Sequence, residues 1–297
     1  MTKISGATLG SRLVSLDRQL SDYRGMIIAF SGGADSAFLL AAAARSDAHV
    51  VAATSTSASL ASGEWADAAA FARDLGVEHI RVDTRELERS KYRANGPDRC
   101  YHCKSELLDV LVSLAEQREL AVVATGTNAD DVVEKHRPGL LAARERNVVT
   151  PLANVGLTKA EIREASRMWG LSTWDKPQAA CLASRIAYGV AVDEKRLQRI
   201  DRAEASVRNA LRQAGIENTN LRVRDLGNSA RIEVDFSAVP AVAAEPTITA
   251  AVVAAGFSSV EVDPRGFRSG SMNKDLLPEQ QIRLGSGVSS WDLPLVD

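Results

Sequence analysis

Met26-Ile27-Ile28-Ala29-Phe30-Ser31-Gly32-Gly33-Ala34-Asp35-Ser36 decides the fold. It begins as a continuous apolar run without alternation, the pattern of a strand buried on both faces. The run stops at Ser-Gly-Gly and an alanine-rich tract follows as far as Arg45, so a strand feeds a helix through a glycine-rich loop. Such a loop has a plain physical use. Its glycines let backbone N–H groups approach an anion, Ser31 and Ser36 add hydroxyls, and the helix N-terminus adds the positive end of its dipole. The lysine of a GxxxxGK[ST] loop is absent, so this is not a Walker A motif. A simple turn capped by Asp35 or Ser36 is the alternative reading.

Working outward, the same rhythm repeats. Residues 8–22 carry leucines at helical spacing, and residues 49–54 and 78–82 read as a second and third strand, with a helix over 64–75 between them. Gly76 is placed for a left-handed cap. A helix is expected from about Cys100 to Glu119, a fourth strand over 121–125, a short fifth at Val148-Val149, and a helix over 158–169 opened by a capping box at Thr158-Lys159-Ala160-Glu161. Strands alternating with helices give an α/β, doubly wound, mostly parallel sheet.

From about residue 190 the pattern changes. A long charged helix (193–213), two alternating strands (221–225 and 231–236) joined at Gly227-Asn228, a helix (247–255) and a short strand (260–262) read as a smaller α+β domain. The expected organisation is 1–187 for the first domain, 188–275 for the second and a loose tail over 276–297.

The chain has 297 residues, 45% hydrophobic and 25% charged, with a formal net charge of −2. That balance suits a water-soluble globular protein and provides no global attraction to nucleic acid or anionic membrane. The segment Met1-Thr2-Lys3-Ile4-Ser5-Gly6 lacks an apolar signal region and no apolar run is long enough to span a bilayer, so a cytoplasmic location is expected.

Three cysteines are present, Cys100 and Cys103 in a CxxC and Cys181 far downstream. A CxxC at a helix start suits a thioredoxin-like dithiol, half a zinc site or part of a cluster site. A closed zinc site needs a fourth ligand, for which His49, His79 and His136 are available, whereas His102 lies awkwardly between the two cysteines. Cys181 sits in an irregular stretch after Lys176-Pro177 and before Arg185, a cationic setting that suits an exposed thiolate better than a core residue.

The Ser31-to-Ser36 loop resembles that of the PP-loop ATP pyrophosphatases, which adenylate a substrate and release pyrophosphate. The resemblance implies a five-stranded HUP-type sheet over residues 1–185, ATP contacts from Ser31, Gly32, Gly33, Asp35 and Ser36, and Mg²⁺ placed by Asp35. It also implies that Gly126, Asn128 and Asp131, in Thr125-Gly126-Thr127-Asn128-Ala129-Asp130-Asp131, lie beside the nucleotide. Further segments sharpen the likeness: Asp98-Arg99-Cys100-Tyr101-His102-Cys103-Lys104, Lys176-Pro177 with Cys181-Leu182-Ala183-Ser184-Arg185, and Asp263-Pro264-Arg265-Gly266-Phe267-Arg268-Ser269-Gly270-Ser271. Together they resemble the LarE family, PP-loop sulfur transferases of nickel-pincer nucleotide synthesis, over about residues 10–275.

That family has members in which a lone cysteine gives up its own sulfur and members with three cysteines expected to hold a [4Fe–4S] cluster. This chain resembles the second kind, with Cys100, Cys103 and Cys181 as the implied ligands. The implied substrate is a pyridinium biscarboxylate mononucleotide, the sulfide donor being unidentified. Cys181, Lys104 and Asp35 are the expected catalytic residues, and Arg185, Arg222, Arg224 and Arg268 are expected on the substrate and its phosphate. Homo-oligomers are also implied. The rival readings are a tRNA thiolase, an ammonia-using amide synthetase with structural zinc, and a nucleotide-sensing module without turnover.

Overall fold

In a computed structural model, described over residues 8–133, 138–177 and 180–268, the apolar run becomes β1 (Gly25–Ala29), buried at every position. Ahead of it lies α1 (Leu9–Ser21), and the alanine tract after the loop becomes α2 (Ala34–Ala43). There follow β2 (His49–Ser55), α3 (Glu64–Asp74), β3 (Glu78–Val82), the short α4 (Ser90–Arg93), α5 (Arg99–Gln117) and β4 (Val122–Thr125). Then come α6 (Ala129–Val133), α7 (Pro138–Arg144), α8 (Pro151–Asn154) and α9 (Lys159–Met168). Gly76 adopts φ 69°, as a left-handed cap requires.

The first sheet is parallel throughout, in the order β3-β2-β1-β4. Among the described residues it has four strands, one fewer than expected. Val149 makes a single parallel bridge to Ala124, with its N–H donating to Val123 and its carbonyl accepting from Thr125. The pairing cannot lengthen. Asn147 before it turns left-handed at φ 53°, and Pro151 after it starts α8 without an N–H to offer. Order reverses between β2 and β4 on either side of β1, so the carboxyl ends of β1 and β4 face a crevice.

The remaining elements are α10 (Glu194–Gln213), β5 (Leu221–Asp225), β6 (Ser229–Val234), α11 (Val239–Ala244), α12 (Pro246–Ala254) and β7 (Ser259–Val262). They form a second, three-stranded sheet, antiparallel between β5 and β6 and parallel between β6 and β7. Its apolar core draws in Tyr92, Leu182, Ala183 and Ile186, and Ile186 adds a parallel bridge to Asp225. The stretch around Cys181 is thereby packed into the second unit's core, while the first sheet is sandwiched by two clusters of its own. Among the described residues no single helix is long and apolar enough to cross a membrane. His136, Ser269-Gly270-Ser271 and the expected tail over 276–297 lie outside the described residues.

Candidate active site

The glycine-rich loop meets the start of α2 at the carboxyl end of β1. Gly32 takes φ 68°, and Gly33, the residue ahead of the helix, gives no side-chain cap to the first-turn N–H groups. Ser31 and Ser36 stand 3.1 Å apart, hydroxyl to hydroxyl, and Ser36 Oγ donates to the Gly33 carbonyl at 3.1 Å. Gly126 shows why a glycine must follow β4. A Cβ there would lie 2.7 Å from Ser36 N and 2.9 Å from the Asp35 carbonyl carbon, inside backbone contact distance. The sequence reading placed Gly126 on the nucleotide, whereas its visible task is to let the end of β4 run against the start of α2.

Asn128, fully buried, donates from Nδ2 to Asp35 at 3.1 Å and accepts from Asp131 N–H at 3.0 Å. Burial, and then the nearby Asp131 carboxylate, push the Asp35 carboxyl above its ordinary value, while Lys159, Asn128 and Arg163 work the other way. Lys159 pairs with Asp131 at 3.0 Å and Lys176 with Glu64 at 3.3 Å. Lys176 Nζ also lies 3.8 Å from where a Gly32 Cβ would sit. Two carboxylates among cations and open N–H groups suit a metal-bound polyphosphate.

The three cysteines gather on the other side. Cys100 and Cys103 ride the first turns of α5, and Cys181 precedes a short 3₁₀ turn, Leu182–Arg185. Cys100 and Cys181 are exposed and Cys103 is partly buried. Burial pushes the Cys103 thiol far up, with Cys181, Glu86 and Cys100 adding to the effect. Burial also pulls the Lys104 ammonium down, opposed by Cys103. Burial opposes the charge of Arg99, yet Cys181 and Cys100 hold its guanidinium above the ordinary value. Among the described residues no three His, Cys, Asp or Glu side chains are placed to hold a metal ion. The donor chemistry nonetheless fits a cluster, whose thiolates bind separate irons and so need not converge on one point.

The expected arginines separate into different roles. Arg222 lines the cleft, and burial followed by the Arg185 charge lowers it to about 10. Arg224 is buried against Glu233 at 2.8 Å and donates to the Ser184 carbonyl at 2.9 Å, away from the cleft lining. Arg185 is 3% exposed, pairs with Glu204, and donates to the carbonyls of Ala180 and Cys181, the latter at 3.1 Å, so it supports the Cys181 segment. Arg268 pairs with Asp263 at 3.3 Å beyond the cleft lining.

These parts share one cleft of about 860 Å³. Its lining includes Ser31, Gly33 to Ser36, Thr125 to Thr127, Asp131, Lys159, Arg163 and Lys176, together with Cys103, Lys104, Cys181, Arg185, Arg208 and Arg222. Sequence reasoning missed Lys159, Arg163, Arg208 and Glu86, isolated charges that no motif distinguishes. It quoted Arg99 without giving it a task.

No protein-family model matches the chain. The protein is 37% identical over 274 residues to slr1717 of Synechocystis sp., a protein described as uncharacterized, covering 90% of this chain and 99% of that one. It is 28% identical over 277 residues to pyridinium-3,5-bisthiocarboxylic acid mononucleotide synthase of Lactiplantibacillus plantarum, covering 92% and 98%. Over 161 residues it is 30% identical to MJ0830 of Methanocaldococcus jannaschii, covering 54% and 60%. The chain therefore belongs to the family of slr1717, and its end-to-end likeness to the Lactiplantibacillus synthase supports a place in the LarE family.

Proposed function

We propose that this protein is an ATP-dependent sulfur transferase that converts a carboxylate of a pyridinium biscarboxylate mononucleotide into a thiocarboxylate. One observation carries the reading: an anion-cradling loop, cysteine sulfur and a partly buried arginine line a single cleft. The Lactiplantibacillus relative is named for a bisthiocarboxylic acid mononucleotide product, which matches that combination.

A carboxylate resists substitution because its leaving group would be oxide. Attack of the carboxylate on the α-phosphorus of ATP makes an acyl adenylate and expels pyrophosphate. The N–H groups at the start of α2, with Lys176, neutralise that pyrophosphate, and Asp35 with Asp131 would hold a Mg²⁺ that shields its charge. Hydrosulfide then displaces AMP and loses its proton. Arg222 from β5 and Arg208 from α10 grip the substrate phosphate. Arg185 keeps Cys181 facing the acyl carbon, and Lys104, desolvated beside Cys103, offsets negative charge on the incoming sulfur. A [4Fe–4S] cluster on Cys100, Cys103 and Cys181 would supply an exchangeable sulfide at this position. Residues 1–187 then carry the nucleotide chemistry, and 188–275 the substrate contacts and self-association.

Anaerobic purification with iron, sulfide and pyrophosphate assays tests the reading on wild type and Cys100→Ala. Pyrophosphate release that requires both ATP and the biscarboxylate, together with iron and sulfide lost in the variant, is the expected result. Bound zinc without pyrophosphate release would sink it. Mass loss at Cys181 after turnover, without iron, would keep the transferase and replace the cluster by the protein's own sulfur.

A further inference from the structure

We propose that Asn95 and Arg99 form a buried lock that sets the position of Cys181 relative to Cys100 and Cys103, an inference that rests on the sulfur-transfer reading. Asn95 is fully buried and adopts φ 55°, a left-handed conformation that Asn tolerates better than most residues with side chains. Its Nδ2 donates to three carbonyls downstream of Cys181: Ile186 at 3.3 Å, Ala187 at 2.8 Å and Val190 at 2.9 Å. Its side-chain oxygen accepts from Arg99 Nη1, which also donates to the Ala183 carbonyl at 2.9 Å.

Arg99 is 4% exposed and directly precedes Cys100. The segment that carries Cys181 is therefore hung on side chains at the entrance to the CxxC helix. Neither residue lines the cleft, so both act through the sulfurs they place rather than on substrate. Directional bonds from a buried amide and a guanidinium fix distance and angle, which apolar packing alone leaves loose. They also explain why a polar asparagine and a charged arginine occupy interior positions where an unpaired group would be costly.

Thiol cross-linking in the full-length, reduced, metal-free chain reads the lock without ATP or substrate. Dibromobimane becomes fluorescent when both its arms capture nearby thiols. In a Cys100→Ser background it reports on Cys103 with Cys181. In a Cys181→Ser background it reports on Cys100 with Cys103, which share α5 and serve as the internal control. Arg99→Gln and Asn95→Gly are each expected to lower the Cys103–Cys181 yield by about tenfold, as small displacements do between held groups, and to leave the control unchanged. Asn95→Gly preserves the left-handed backbone, so it carries the test if Arg99→Gln does not fold. Arg99→Lys keeps the charge but loses the fork, and is expected to behave as the Gln variant.

Full retention of the Cys103–Cys181 yield, or equal losses in both pairs, would overturn the lock. The expected cross-linking pattern in the two serine backgrounds, together with a wild type that releases no pyrophosphate, would remove the functional reading and leave the lock standing.

Discussion

Gly126 and Asp35 show how much of this site depends on single atoms. A methyl group at residue 126 has nowhere to go, because the atoms it meets, Ser36 N and Cα and the Asp35 carbonyl carbon, are all backbone at 2.7–2.9 Å. Gly126→Ala must push α2 away from β4, and overpacking of this kind costs about 1–3 kcal/mol. We expect a lower urea midpoint and a raised KM for ATP; an unchanged KM would show that the anion cradle tolerates the shift. Asp35 is strained in the opposite sense. Burial first, and Asp131 next, raise its pKa above the unfolded value of 3.8. Between the two values the folded state binds more protons than the unfolded one, so stability falls as pH rises through that window. Asp35→Asn should therefore raise the melting temperature at neutral pH, while pyrophosphate release drops by about 100-fold or more. A variant that melts lower than wild type would contradict the argument.

At the scale of elements, α9 is the clearest case of sequence writing structure. Thr158 accepts from Glu161 N–H at 3.3 Å, Glu161 accepts from Thr158 N–H at 3.0 Å, and Arg12 of α1 grips the same carboxylate at 2.6 Å. This cap holds the helix that delivers Lys159 and Arg163 to the cleft. Thr158→Ala should cost about 1 kcal/mol in urea unfolding, with a matching Arg12→Ala loss that is smaller in the Thr158 variant because the partners are shared. Capping boxes, buried strands and the Ser-Gly-Gly loop are legible because each is a local pattern with a local cause. The fifth strand was less so: the valines promise pairing, but Asn147 and Pro151 limit it to one bridge. Arg222 and Arg224 mark another limit. Their alternation on β5 was readable, but Glu233, which claims Arg224, comes from β6 and appears only once register is known. Asn95 is a third case, since its partners lie about ninety residues downstream.

Across the whole molecule, Glu204 ties the Cys181 segment to the second unit. It lies on α10, is 1% exposed, and accepts from Arg185 at 2.9 Å and 3.2 Å, from Val223 N–H at 3.1 Å and from Arg208 at 3.1 Å. One carboxylate thus links the arginine that supports Cys181, the second sheet and a cation in the cleft. Burial alone would raise its pKa, but the Arg185 charge and hydrogen bonds overcome this and hold it below the unfolded 4.5. An acid whose pKa is depressed on folding adds stability that is fully present above its unfolded value. That stability is lost as pH falls from 4.5 through the lower folded pKa. Glu204→Gln leaves the Arg185 guanidinium buried without a counter-charge, at a cost of about 3–5 kcal/mol near neutral pH. The gap between wild type and variant should narrow as pH drops below 4.5, because the wild-type carboxylate then takes up the proton that makes it resemble glutamine. Urea midpoints across that range measure it directly. A gap that stays constant into acid would mean that shape, not charge, makes this link, and Arg185 would then owe its position to packing around Leu182 and Ile186.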